Sequence, residues 1–510
     1  MLREVRIKNG VVRGLPAADP RITSFKGIPF AAPPIGKNRW RAPQPAEDWD
    51  GVLEAFQFGP ISMQATPGIN KDNIYDFEWH VDPNVPMNED CLYLNIWTPA
   101  TSPEEKLPVF VWYFGGALQF GYTSEMEFDG ERLARRGVIV VTINYRLNVF
   151  GFLCHPEITR EAPEAPANFG HLDQQFATGW VKENIAAFGG DPENITIGGQ
   201  SAGGGSVLAQ LTSPQNEGLC QRAIIQSGMF APVYPNNRTP PWGRDLRDEE
   251  EEGRKFFAYL GVSSLEEARQ LDGEFIRLKS LEYGRFWGTV FDQQFCLGDP
   301  LERFLQNQRL QVPVMMGHTS SEFFSEPQVK SAEELKDLAQ DLFSDDAKEY
   351  LDLISFGRAE LDDVIQNAAV STIEYAIRLA GQANADTGAN LPLYYYNFAA
   401  DIPGPDNPGT FHSVDLWFFF ETLAKCWRPF VGKHYDLARQ MCNYWANFMK
   451  TGDPNGLDST GEEMPRWHVY TPDQPFGMLF GDVPKFLTEK PSPLMEFLTG
   501  QFFNQRSHRA

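Results

Sequence analysis

Cysteine is scarce in this chain of 510 residues. The six thiols, Cys91, Cys154, Cys220, Cys296, Cys426 and Cys442, include no C-x-x-C pair, which argues against both a zinc site and a disulfide scaffold. Free, mostly buried thiols and no metal are expected. Basic charge is also in deficit: 44 Lys and Arg stand against 68 Asp and Glu, a net charge of -24. That balance repels phosphate backbones and anionic bilayer faces, so neither nucleic acid nor a membrane is expected as a partner. It reads as a solvated surface that favours solubility. Long apolar runs are missing too. The strongest, residues 109–114 and 138–143, are of strand length, far short of the roughly 20 residues a membrane helix needs. The opening segment alternates apolar and charged residues and turns at Asn9-Gly10, which reads as a β-hairpin rather than a secretory leader. Internal repeats and low-complexity linkers are absent, so a single domain over residues 1–510 is expected.

What is present is a 42% hydrophobic, 13% aromatic composition, enough for a large core. Residues 109–114, 138–145, 195–198 and 223–226 read as buried strands. Between the second and third, residues 172–188 carry apolar residues at helical spacing and close on Gly189-Gly190-Asp191-Pro192. Strands alternating with helices predict an α/β fold around a parallel sheet, whose ligand sites lie beyond the carboxyl ends of the strands. Further strands are predicted at residues 312–316 and 393–398, and the helical stretches near 230–311 and 331–387 as insertions forming a lid. The first insertion opens on a Pro-rich loop, residues 232–241.

Gly199-Gln200-Ser201-Ala202-Gly203 is a G-x-S-x-G motif. It directly follows an apolar run and precedes a helical start, which is the setting of a nucleophile elbow in an α/β-hydrolase sheet. Small neighbours tolerate the strained backbone such a turn imposes on Ser201. A phosphate loop is disfavoured, because Gly36-Lys37 and Gly432-Lys433 lack a following Ser or Thr. In this fold an acid and then a histidine follow the serine along the chain. Of His318, His412, His434, His468 and His508, His412 fits best, on a turn-rich segment beyond the strand at 393–398. For the acid, Glu322 lies just after the strand at 312–316, with Asp299 and Asp415 as competitors; His318 reads as a loop histidine bonding backbone. Gly115-Gly116-Ala117 after the strand at 109–114, with the N–H of Ala202 at a helix start, can supply an oxyanion hole.

Two long segments then carry a resemblance. Residues 188–197 leading into Gly199-Gln200-Ser201-Ala202-Gly203, and Glu89-Asp90-Cys91-Leu92-Tyr93-Leu94-Asn95-Ile96, are similar to the signatures of the type-B carboxylesterase family, which includes cholinesterases and bacterial para-nitrobenzyl esterases. Phe25-Lys26-Gly27-Ile28-Pro29-Phe30-Ala31, Asn144-Tyr145-Arg146-Leu147 and Gln226-Ser227-Gly228 extend the likeness over essentially the whole chain. The resemblance implies a serine carboxylesterase acting on a small-molecule ester through an acyl-enzyme, without a cofactor. It implies catalytic Ser201, Glu322 and His412, oxyanion donors Gly116, Ala117 and Ala202, and an aromatic gorge for which Phe120, Phe230 and Trp417 are candidates. Feruloyl or sugar-acyl ester hydrolysis is the competing activity, and a non-catalytic binding protein the competing class. The chain departs from the family pattern at Gln200, Phe114, Asp415 and Leu416-Trp417. Ser62 stands where secreted relatives have a disulfide partner for Cys91, which favours a reducing, cytoplasmic location. Monomer and homo-oligomer remain equally open.

Overall fold

A strand buried on both faces has no polar side to alternate, so its residues divide between two cores by parity. Residues Leu107–Tyr113 do this: Phe110 and Trp112 enter one hydrophobic cluster, Val109, Val111 and Tyr113 the other. The computed structural model describes residues 1–70, 72–234, 243–389, 391–458, 460–488 and 490–507. Within them one 11-stranded sheet separates the two cores. Its strands are β1 (Leu15–Pro16), β2 (Thr23–Pro29), β3 (Tyr93–Thr98), β4 (Leu107–Tyr113), β5 (Ile139–Ile143), β6 (Gly190–Gln200), β7 (Arg222–Gln226), β8 (Val314–Thr319), β9 (Leu393–Phe398), β10 (Met478–Phe480) and β11 (Pro484–Phe486). They lie in the order β11-β10-β9-β8-β7-β6-β4-β5-β3-β2-β1. From β10 to β5 every pairing is parallel. The β3, β2, β1 edge and β11 at the other edge are antiparallel. A large, mostly parallel sheet flanked by helices is thus the architecture, as the α/β pattern predicts.

The helices that matter for the site are α1 (Ile74–Glu78), α2 (Phe169–Asn184) and α3 (Ala202–Thr212). Helix α2 links β5 to β6. It begins three residues earlier than its periodicity predicts, tightens into a 3-10 turn at Ile185–Phe188, and stops at Gly189, whose φ of 85° caps the helix in the left-handed region. The fully buried Arg146–Asp173 pair, bonded at 2.7 and 2.8 Å, ties the segment after β5 to this helix. The predicted amino-terminal hairpin is present, with Glu4–Ile7 antiparallel to Gly10–Arg13. Strand β8 extends to Thr319, so His318 is a strand residue rather than a loop residue. Helices occupy both insertions, among them Leu246–Leu260 and Gly273–Tyr283 in the first and Ala332–Phe343 and Thr372–Asp386 in the second. The Pro-rich loop at 232–241 falls mostly outside the described residues, and His508 wholly so. Among the described residues no helix is long and apolar enough to cross a membrane.

Candidate active site

The carboxyl ends of β4, β6, β7, β8 and β9 lead into Gly115, Ser201, Ser227, Glu322 and His412, so one edge of the sheet collects them. Ser201 sits between β6 and α3 at φ 56° and ψ -125°, a conformation an L-residue adopts only when its surroundings enforce it. The enforcement is visible in the hydrogen bonds and the packing. Its N–H donates to the Gln226 carbonyl at 2.9 Å, and its carbonyl accepts from the Gly205 N–H at 2.8 Å. A Cβ on Gly203 would lie 2.1 Å from the Tyr113 carbonyl oxygen, and one on Gly199 would lie 2.4 Å from the Gly203 backbone. The elbow therefore needs glycine at both places.

His412 Nδ1 contacts Glu322 Oε2. The other Glu322 oxygen accepts from the Thr319 N–H at 2.7 Å and the Ser227 hydroxyl at 2.6 Å. Burial opposes the charge on Glu322, but the field of His412 and these hydrogen bonds outweigh it and hold the carboxyl below its ordinary range. With Nδ1 facing Glu322, Nε2 is the ring nitrogen left for another partner. The Gln200 side-chain amide nitrogen lies 3.2 Å from Nε2 and 3.5 Å from Nδ1. Among the described residues no hydrogen bond joins the Ser201 hydroxyl to the imidazole; the neighbouring amide occupies the base nitrogen instead.

Of the competing acids, Asp299 caps the helix Pro300–Leu305 by accepting from the Glu302 N–H at 3.0 Å. Asp415 is buried behind the site, accepting from Tyr396 at 2.9 Å and Gln226 at 3.3 Å. Burial and the nearby Glu322 raise its carboxyl to about 6. His318 is held by the Thr319 carbonyl at 2.8 Å and the Tyr395 hydroxyl at 2.9 Å.

After β4 the chain turns through Gly116 (φ 103°), Ala117 (φ 55°) and Leu118 (φ 61°). Tyr145 fixes the start of the turn, stacking on Phe114 at 4.4 Å and donating to its carbonyl at 2.6 Å. The Asn148 N–H donates to the Leu118 carbonyl at 2.7 Å. Among the described residues no hydrogen bond runs from the N–H groups of Gly116, Ala117 or Ala202 to another group of the chain, which leaves three backbone donors at this turn and at the start of α3.

The aromatic candidates separate. Phe230 packs edge-on against Phe323 at 5.2 Å. Phe120 meets His80 edge-on at 5.2 Å. Trp417 is fully buried in the core, where it packs on Trp79 at 6.2 Å. Sequence reasoning missed Tyr75, Trp79 and Phe323. Tyr75 and Phe323 both set their rings edge-on to His412, at 6.5 and 4.6 Å. The available signal was an N-capping Asn73 followed by Tyr75, Phe77 and Trp79; a helix of five residues is too short to show a period. Among the described residues no three His, Cys, Asp or Glu side chains are placed to share a metal ion.

A model of the carboxylesterase family matches residues 2–490. Among curated proteins, the chain is 33% identical to a para-nitrobenzyl esterase of Bacillus subtilis (strain 168), over 88% of this chain and 90% of that protein. It is 31% identical to an acetylcholinesterase of Bungarus fasciatus, over 92% and 82%. Among solved structures it is similar to a PNB esterase at a TM-score of 0.77 and 28% identity, covering 98% of this chain and 100% of that one. A carboxylesterase of Geobacillus stearothermophilus superposes at a TM-score of 0.74 and 30% identity, covering 97% and 99%.

Proposed function

The chain belongs to the carboxylesterase family, and from that premise we propose that Ser201, His412 and Glu322 are the residues through which it works. It is a carboxylic-ester hydrolase of the α/β-hydrolase fold, acting on small-molecule esters by serine chemistry. In the mechanism we assign, the Ser201 hydroxyl attacks the ester carbonyl while His412 Nε2 accepts its proton. The same nitrogen then protonates the departing alcohol, and a water activated by His412 cleaves the acyl-enzyme. Glu322 fixes the ring proton on Nδ1 and stabilises the imidazolium. The N–H groups of Gly116, Ala117 and Ala202 receive the oxyanion; loss of one such donor costs about 3 kcal/mol in comparable sites.

One observation carries this reading. Glu322 is saturated by Thr319 and Ser227 on one oxygen and joined to His412 on the other, an arrangement that leaves Nε2 as a base beside the elbow. The Gln200 amide now at Nε2 must yield to the serine when substrate binds, since catalytic hydrogen bonds often close only in the complex. Phe120 and Phe230 as substrate contacts, with Trp417 as the support behind Trp79, fit an apolar ester. The two insertions as a lid on a single domain fit the bonds from Thr372 to the Phe323 carbonyl at 3.0 Å and from the Trp287 N–H to Gln119 at 3.4 Å. A cytoplasmic location fits six free cysteines.

The test is Ser201→Ala. Release of nitrophenol from short-chain nitrophenyl esters should fall at least about a thousandfold, and an organophosphate should label the parent at Ser201 and leave the variant unlabelled by mass spectrometry. Turnover that survives the substitution overturns the assignment.

A further inference from the structure

The turn that carries Gly116 and Ala117 closes on itself. The Gly116 carbonyl accepts from the Gln119 and Phe120 N–H groups at 2.9 and 3.1 Å. The far end of the turn, Gly121, comes back over its start: a Cβ there would lie 2.7 Å from both the Gly115 carbonyl oxygen and the Phe114 ring. Such a loop keeps its middle in place only while its closing end is fixed. Gly121 is buried, so its N–H and carbonyl must both find partners inside the protein. One side chain serves both. The Gly121 N–H donates to Gln64 Oε1 at 2.8 Å, and Gln64 Nε2 donates to the Gly121 carbonyl at 3.1 Å, so the amide pairs with the glycine as a neighbouring strand would. Gln64 is itself 2% exposed and braced. Its Nε2 also donates to the Ser62 carbonyl at 3.0 Å, its backbone carbonyl accepts from Arg277 at 3.0 Å, and the Ser62 hydroxyl accepts from the Leu147 N–H at 3.3 Å.

Resting on the mechanism assigned above, we propose that Gln64 is a positioning residue for the oxyanion donors, acting through Gly121 and not on the substrate. Such donors stabilise the transition state because they stand in place before the charge develops. The Gly116 and Ala117 N–H groups belong to a turn held at its start by the Tyr145 hydroxyl on the Phe114 carbonyl, in its middle by the Asn148 N–H on the Leu118 carbonyl, and at its end by Gln64. Loss of the Gln64 amide leaves two buried backbone groups unpaired, and the turn relieves them by opening. Opening displaces the donors. The penalty falls where an anion forms and spares the binding of a neutral ligand.

The experiment compares two inhibitors of one shape, phenyl trifluoromethyl ketone and its carbinol, in the parent and in Gln64→Met, which fills the space without an amide. The ketone accepts the Ser201 oxygen at its carbonyl carbon, the serine proton passes to His412, and the carbonyl electron pair becomes an alkoxide for the turn to receive; the carbinol has no carbonyl and forms none. In Gln64→Met the inhibition constant of the ketone should rise about tenfold, matched by an equal fall in kcat/KM for nitrophenyl acetate, while that of the carbinol stays unchanged. A smaller folded fraction alters neither inhibition constant, so the split separates positioning from stability. Gln64→Asn keeps an amide that ends one carbon short of Gly121; it should show the same split to a lesser degree, and it decides the matter if Gln64→Met does not fold. Equal weakening of both inhibitors, or of neither, overturns the inference and marks Gln64 as structural. A ketone that binds the parent no better than the carbinol does, or ester hydrolysis that persists in Ser201→Ala, instead overturns the mechanism beneath it, and the inference with it.

Discussion

Gln200 is the side chain that stands beside His412 in the proposed site. Its amide nitrogen lies 3.2 Å from His412 Nε2, and the Cβ that glycine lacks at position 115 would approach its Oε1 to 3.0 Å, so the amide is wedged between the oxyanion turn and the base. An amide there is neutral and donates a hydrogen; a carboxylate could only accept, and only from a protonated imidazole. Gln200→Glu should therefore stabilise imidazolium and weaken the base at neutral pH. The acid limb of kcat/KM should move to higher pH by about one unit, with kcat at pH 6 lower than in the parent and the alkaline plateau largely kept. A pH–rate profile on a nitrophenyl ester reads this, and an unmoved limb would mean the Gln200 contact does not persist in solution.

At the scale of elements, α1 depends on tertiary anchors, because five residues cannot hold a helix together without them. Its anchor is Arg428, whose side chain is fully buried against a fully buried Glu78 at 2.6 Å. Arg428 also forks onto Asp406 at 3.0 and 2.9 Å. Arg428→Met strands a buried carboxylate and should cost about 3–5 kcal/mol in urea unfolding, with Glu78→Leu in the same chain recovering much of it. KM should rise in the single variant, since Tyr75 and Trp79 ride on this segment. The same contrast between central and peripheral elements explains what was readable in advance. Each of strands β4 to β9 contains an apolar run, and the predicted spans meet the observed ones within a few residues except in β6, which starts at Gly190, five residues before the predicted 195, because Asp191, Glu193 and Asn194 carry no apolar signal. Strand β2 was hidden by Lys26 and Gly27 and by the register shift between Phe25 and Ile28, and β10 by having only three residues. Glu322 and His412 were legible because strand ends dictate where such groups stand. Tyr75 and Phe323 were not, since their places follow from clamps made by Arg428 and Thr372, far away in sequence.

For the whole molecule the excess of acid extends into the interior. Glu125 and Glu127 are buried beside each other and beside His80, with His80 Nδ1 2.7 Å from Glu125. Burial raises the Glu125 carboxyl to about 8 and lowers the His80 imidazole to about 4. Burial, reinforced by Glu125, also raises Glu127, and Asp415 is raised to about 6. His80, lowered by burial, has the opposite sign and costs stability as pH falls through about 6.5, whereas each of these three carboxyls binds protons more tightly folded than unfolded. Their stabilisation is therefore complete below the unfolded values near 4 and is lost as pH rises through the folded ones. Urea unfolding should show stability falling between about pH 7 and pH 9, above the range in which the depressed His80 and His171 oppose it, with Glu125 alone worth on the order of 1 kcal/mol across that window. Repulsion among the surface charges that make up the net -24 acts with the same sign, but salt screens it and leaves the interior largely untouched. The double variant Glu125→Gln with Glu127→Gln should flatten the profile in 0.5 M salt (about a 4 Å screening length) as well as at low salt. A slope that survives the double substitution yet disappears in salt would move the origin of the pH dependence from the buried carboxyls to the surface.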